Sequence, residues 1–102
     1  MSRYDMVATV RVDGVQLDRA SVAYGLDHIC GYFIQVFSPD DPDEIVLNVD
    51  SLFTGLTDVQ MLEWFHKMGI YDRIPQRHMS EMALDLLEWG KPAALAEMVR
   101  PL

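Results

Sequence analysis

The densest group of reactive side chains is Asp27-His28-Ile29-Cys30. A protonated imidazole beside a thiol favours the nucleophilic thiolate, so His28 and Cys30 are a candidate reactive or ligand-binding pair. In an extended segment, however, the two side chains would share one face roughly 7 Å apart, too far for a hydrogen bond. The spacing therefore favours a structural role, with Cys30 as a small apolar residue and His28 near the surface.

A metal site is not predicted either. The candidate ligands are one short cluster and two scattered histidines: His28, Cys30, His66 and His78. Structural zinc is usually held by ligand pairs such as two cysteines separated by two to four residues, and this chain has no such pair. We therefore expect neither a metal nor a cofactor.

The segment Asp40-Asp41-Pro42-Asp43-Glu44 concentrates four carboxylates. A calcium-binding EF-hand loop would need ligands at alternate positions, a central glycine and a glutamate at its twelfth position, and this segment lacks that register. Its prolines and acidic residues instead predict an exposed connection. The chain also has no glycine-rich phosphate loop and no Gly-x-Ser-x-Gly or His-Glu-x-x-His motif, so we do not predict an enzyme.

The charge of the whole chain is strongly negative. Sixteen acidic and eight basic residues give a formal charge of −8, so nucleic acid and anionic membranes would repel it and basic protein surfaces would attract it. The alternative is that the charge only maintains solubility. No membrane-spanning run or signal peptide is visible and there is one cysteine, so we expect a cytoplasmic location.

The first half of the chain has the period-two pattern of strands. A strand from Met6 to Val12 would place Met6, Ala8, Val10 and Val12 on one face and Val7, Thr9 and Arg11 on the other. Asp13-Gly14 separates this segment from Val15–Leu17, which predicts a β-hairpin. Residues 18–31 could extend a strand or form a helical turn. Tyr32 to Phe37 are apolar on both faces, as in a central strand.

Strand 45–49 returns antiparallel to strand 32–37 after the acidic loop, with Ile45, Leu47 and Val49 on one face. The apolar period then changes to that of a helix. Thr57-Asp58-Val59-Gln60 is a capping box that starts a helix of about twelve residues ending at Gly69. Its apolar stripe runs from Val59 through Leu62 and either Phe65 or His66 to Met68.

A second helix is predicted to start at Pro75 and end at Gly90, with a last short turn opened by Pro92. Its apolar stripe would comprise Met79, Met82, Ala83, Leu86 and Leu87. Met61, Met68, Met79 and Met82 are expected in the core. The whole chain, residues 1–102, therefore predicts a single α+β domain: about four antiparallel strands covered by two or three C-terminal helices.

Three functions fit these features. The first is a small acidic protein-binding module, an inhibitor, immunity-type or regulatory protein acting on a basic partner surface. The second is a structural subunit of a homo- or hetero-oligomer, which an exposed apolar face on helix 76–89 would favour. The third is a small enzyme or ligand-binding domain using His28 and Cys30. The candidate partner-binding residues are Asp40, Asp41, Asp43, Glu44, Trp64 and Trp89.

Overall fold

The computed structural model describes the backbone of residues 2–99 and the side chains of residues 2–87. The strands are β1 (Ser2–Val12), β2 (Val15–Asp27), β3 (Gly31–Phe37) and β4 (Ile45–Asp50). The helices are α1 (Ser51–Thr54), α2 (Asp58–Met68) and α3 (Gln76–Val99), with a 3-10 turn at Tyr71–Arg73. The strands form one antiparallel sheet in chain order, β1-β2-β3-β4. The predicted α+β fold is confirmed.

The first hairpin is longer than its sequence pattern indicated. Asp13 and Gly14 have φ values of 50° and 78°, which are the positive values that a tight two-residue hairpin turn requires. The predicted turn is therefore confirmed. Of the undecided residues 18–31, residues 18–27 continue β2 as a strand, and β3 begins at Gly31. A bulge interrupts the pairing between Ala8 and Val10.

The second hairpin joins β3 and β4 as predicted, but the face assigned to Ile45 was wrong. The register shifts between Val36 and Phe37, so that Phe37 pairs with Ile45 whereas Val36 pairs with Leu47. One unpaired residue reverses the alternation of side chains beyond it. Ile45 therefore lies on the opposite face from Leu47 and is 47% exposed.

One face of the sheet packs against the helices and forms the core. The alternating residues predicted to share a face of β1 do so, and β2, β3 and the helices complete the cluster. Its buried members are Ala8, Val10, Val12, Ala20, Val22, Tyr24, Leu26, Ile34, Val36, Leu56, Met61, Phe65, Met68, Ile70 and Met82. Among the four helical methionines expected in the core, Met79 is only partly buried.

The predicted capping box of α2 is present. The Thr57 hydroxyl accepts a hydrogen bond from the Gln60 N–H, and the Gln60 side chain accepts one from the Thr57 N–H, both at 3.1 Å. The apolar stripe, however, is centred on Met61, Phe65 and Met68, while Val59 is 60% exposed. Val59 lies in the first helical turn, on the solvent side.

The predicted end of the second helix at Gly90 was wrong, because α3 continues through Gly90 and Pro92 to Val99. Trp89 therefore lies inside the helix rather than at its end, and its side chain is outside the described residues. Glycine and proline are local stop signals that cost about 1 and 3 kcal/mol in a helix interior. The run Ala93-Ala94-Leu95-Ala96 beyond them consists of strong helix formers, which favour continuation.

Only part of the predicted apolar stripe of α3 is buried in the core. Met82 is fully buried, whereas Leu86 and Leu87 are 42% and 68% exposed, and Ala83 is exposed as well. The helix packs on β1 and β2, and Met82 faces that contact. The periodicity therefore identified the helix but overstated how much of its surface is covered.

Among the described residues, no helix has the length and apolar character needed to cross a membrane.

Candidate functional site

The Asp27–Cys30 segment forms the tight turn between β2 and β3. The Asp27 carboxylate accepts hydrogen bonds from the backbone N–H groups of Cys30 at 3.0 Å and Ile29 at 2.7 Å. The bond from Cys30, followed by the bond from Ile29, lowers the pKa of Asp27 because both stabilise its charged form. The carboxylate thus shapes the turn, and His28 is exposed within it.

Cys30 joins this turn to α1. Its carbonyl accepts hydrogen bonds from the N–H groups of Ser51 at 3.0 Å and Leu52 at 3.1 Å. Burial raises the pKa of the Cys30 thiol, and the negative charges of Asp27 and Asp50 raise it further. This environment disfavours the thiolate that nucleophilic chemistry would need.

A pocket of about 270 Å³ opens beside α1, on the sheet face opposite α2 and α3. Asp50 lies in its wall, and its carboxylate accepts a hydrogen bond from the Phe53 N–H at 2.6 Å, capping α1. The Arg3 guanidinium lies 5.9 Å from the centre of the Phe33 ring. Phe33 is 7% exposed, and Phe53 of α1 lines the same pocket. The pocket is lined by Arg3, Asp27, Cys30, Phe33, Gln35, Asn48, Asp50 and Phe53.

A second polar cluster, which the sequence did not indicate, lies between the sheet and α3. The Tyr24 hydroxyl is 2.5 Å from His78 Nδ1. The Tyr4 ring stacks on the His78 ring with centroids 3.8 Å apart, and its hydroxyl donates to the Glu81 carboxylate at 2.5 Å. The sequence contains one signal that could have indicated this cluster. His78 lies four residues before the apolar Met82 and therefore on the same face of the helix, the face that packs against β1 and β2.

The protonation states in this cluster follow from its surroundings. Burial raises the pKa of Tyr24 to about 12, with a smaller contribution from Tyr4. Burial lowers the pKa of His78, as does the charge of Arg77, while Glu81 acts in the opposite direction. Near neutral pH, the Tyr24 hydroxyl therefore keeps its proton and the His78 ring is neutral.

This arrangement predicts that stability decreases on mild acidification. The folded pKa of His78 lies below its ordinary value of 6.5, so the unfolded chain binds the proton more tightly. The contribution of His78 to the free energy of unfolding is therefore complete above about pH 6.5 and is lost as the pH falls through the folded pKa. The measurement is denaturant unfolding of wild type and His78→Phe across this range. A stability difference between them that stays constant with pH would contradict the prediction.

The predicted acidic residues lie on the loop between β3 and β4. The Ser38 N–H donates to the Glu44 carbonyl at 2.9 Å, and the Glu44 N–H donates to the Asp41 carbonyl at 3.0 Å. The Asp41 carboxylate accepts from the Asp43 N–H at 3.0 Å, and the Ser38 hydroxyl accepts from the Asp40 N–H at 3.2 Å. Asp41 therefore holds the turn, and all four acidic residues of the loop are exposed.

The structure separates this loop from the other predicted site residues. It follows the last residue of β3, whereas the turn containing His28 and Cys30 precedes the first, so the two lie at opposite ends of that strand. Trp64 is on α2, half-buried against the core, with the Lys67 ammonium 5.3 Å from its ring centre. Trp64 is thus partly covered within its own chain.

The four histidine and cysteine residues considered as metal ligands are distributed over different surroundings. His66 stacks on Tyr71 with ring centroids 3.8 Å apart, and His78 belongs to the tyrosine cluster. Within residues described by the structure, no three His, Cys, Asp or Glu side chains are grouped as they would be in a metal site.

No protein-family model matches this chain, and no curated protein or solved structure matches it either.

Proposed function

We propose that the protein is a non-catalytic binding module that recognises a basic surface of a partner protein, as a small inhibitor, immunity-type or regulatory protein would. The observation that carries the proposal is the loop between β3 and β4. Its turn is held by Ser38 and Asp41, while the exposed carboxylates of Asp40, Asp43 and Glu44 accept no hydrogen bond from a described residue. A fixed loop loses little conformational freedom when a partner binds.

The electrostatics of the chain support the same proposal. Within the described residues the ion pair closer than 4.0 Å is Arg3–Asp5, at 3.5 Å. The loop carboxylates are therefore not neutralised by a neighbouring side chain in this part of the protein. Exposed charge of one sign increases the rate of association with an oppositely charged surface, and added salt weakens that effect.

The site geometry gives less support to catalysis at His28 and Cys30. The Asp27 carboxylate is occupied by the N–H groups of its own turn, and the carboxylates near Cys30 oppose ionisation of the thiol. A nucleophilic cysteine usually has a nearby positive charge that stabilises the thiolate. These groups instead stabilise the turn and its contact with α1.

Neutralising the loop without unfolding it tests the proposal. The variant Asp40→Asn/Asp43→Asn/Glu44→Gln removes three charges and retains Asp41, which holds the turn. The control Asp18→Asn/Glu63→Gln/Asp72→Asn removes three exposed charges elsewhere, so both variants change the formal charge from −8 to −5. Each tagged protein is used to capture partners from nuclease-treated native lysate at low and high salt, with identification by mass spectrometry.

We expect a stoichiometric basic protein to be retained by wild type and the control and lost with the loop variant. Retention should also decrease at high salt. Equal retention by both variants, or equal loss from both, would overturn the assignment to the loop. Circular dichroism of the three proteins should be the same, which separates loss of binding from loss of structure.

One observation favours a second candidate function, that of a structural subunit in a larger assembly. Leu84 and Leu87, which are three residues apart on α3 and therefore neighbours on its surface, are 59% and 68% exposed, and Leu86 is 42% exposed. Neighbouring exposed apolar side chains are typical of surfaces that become buried in a complex. This candidate would be favoured if the molecular mass in solution exceeds that of the monomer and substitutions in β1 do not change it.

A further inference from the structure

The sheet has two edges, and β1 forms the longer one. It has eleven residues, compared with six in β4 at the other edge. Within the described residues, the strand that pairs with β1 is β2. In such an edge strand the N–H and C=O groups of every second residue point outward, ready to pair with another strand.

We infer that β1 pairs antiparallel with β1 of a second copy of this chain, with Ala8 opposite Ala8. Successive residues of a strand direct their backbone groups to opposite edges. In β1, residues whose backbone groups point outward are therefore all even-numbered or all odd-numbered. When two copies of β1 pair antiparallel, an outward-pointing residue must lie opposite another outward-pointing residue. Even-numbered residues therefore lie opposite even-numbered residues, and odd-numbered residues lie opposite odd-numbered residues. These registers also keep the helices of both copies on the same face of the continuous sheet.

Charge complementarity selects one of these registers. With Ala8 at the centre, Asp5 lies opposite Arg11 of the second copy, and by symmetry this pair occurs twice. Shifting the centre to Val7 would place Arg3 opposite Arg11. Shifting it to Thr9 would place Asp5 opposite Asp13. Like charges directly opposite are destabilising, whereas opposite charges are stabilising.

The side chains involved are accessible for this contact. Asp5 and Arg11 are both exposed. The Asp5 carboxylate lies 3.5 Å from the exposed Arg3 guanidinium of its own strand, whereas within the described residues no carboxylate lies within 4.0 Å of Arg11. The segment 3–13 contains Arg3, Asp5, Arg11 and Asp13 and so has no net formal charge, although the whole chain carries −8. Two copies can therefore approach along β1 with little repulsion between the edges themselves.

The helix-facing side of β1 is complementary in the same register. Met6 lies opposite Val10 of the second copy, and Tyr4 lies opposite Val12. Tyr4 and Met6 are only partly buried in the single chain, so pairing would cover more of their apolar surface. The register therefore joins apolar to apolar residues on one face and opposite charges on the other.

The test is the dimer dissociation constant of the full-length chain, measured by sedimentation equilibrium over a hundredfold concentration range. Arg11→Glu places like charges opposite Asp5 of the second copy at two symmetric positions, so we expect the dissociation constant to rise about tenfold or more. Asp5→Arg should have the same effect because it faces Arg11. Combining both substitutions restores opposite charges and should restore dimerisation. Arg73→Glu, an equal charge change on the 3-10 turn, is the control.

A monomer at every concentration would overturn the inference. A dimer that Arg11→Glu and Asp5→Arg leave unchanged would also overturn it, because the contact would then lie elsewhere, for example on α3. If the protein is a monomer and β1 pairs with an extended segment of another protein, the inference is also overturned, because the strand that binds β1 is then not a second copy of this chain. None of these outcomes depends on the loop variant, so the proposed function is tested separately.

Discussion

Replacing Gly25 with alanine is expected to destabilise the protein by about 3 kcal/mol or more. A Cβ atom at this position would lie 2.0 Å from the Ser2 carbonyl oxygen and 3.0 Å from Arg3 Cα. Both are backbone atoms, so the conflict cannot be relieved by rotating a side chain, and the start of β1 must move away from β2. The Ser2 hydroxyl donates to the Asp85 carboxylate, so this movement should also weaken the contact with α3.

The measurement is chemical unfolding of the variant, with Gly14→Ala as the control. Gly14 has a φ of +78° and no atom within 4 Å of an added Cβ, so its substitution should cost only about 1–2 kcal/mol of backbone strain. A small domain has roughly 5–15 kcal/mol of stability in total. If Gly25→Ala were no more destabilising than Gly14→Ala, the result would contradict the close approach of β1 to β2 at Gly25.

Phe65→Ala is expected to cost about 3–5 kcal/mol, because it removes a fully buried ring and leaves a cavity. Phe65 is 0% exposed and meets the Tyr24 ring edge to face, with centroids 5.1 Å apart. It therefore joins α2 to the centre of the sheet. The loss should also alter the near-ultraviolet signal of Tyr24.

Phe53→Ala is the matched control, since it is the same substitution at a side chain that is 79% exposed. It should change the free energy of unfolding by no more than about 0.5 kcal/mol. Thermal and chemical unfolding of both variants measure the contrast. Similar costs at the two positions would contradict the placement of the core on the helix side of the sheet.

The sequence predicted where the acidic loop lies in the chain but not the role of each of its side chains. The acidic loop was located correctly between two strands, because prolines and carboxylates interrupt a strand wherever they cluster. The sequence could not show that Asp41 holds the turn while Asp43 and Glu44 leave their carboxylates exposed. That division of roles depends on which backbone N–H groups the folded loop brings near each side chain.

The contact between Tyr24 and His78 could not be predicted from the sequence. Tyr24 and His78 are separated by 54 positions in the chain, and their contact exists only because α3 packs across β1 and β2. Periodicity indicates which face of an element is apolar but not which element covers it. The pKa shifts of both residues come mainly from burial, which is likewise a result of packing.

The sequence by itself determined the elements whose signals are local. Asp13-Gly14 set the first turn, the Thr57–Gln60 capping box set the start of α2, and the change of period from two to 3.6 set the order of strands before helices. Tertiary structure decided the face of Ile45 and the partners of His78. These features depend on contacts between residues that are separate in the chain, whose free energies can exceed the local preference for regular strand alternation.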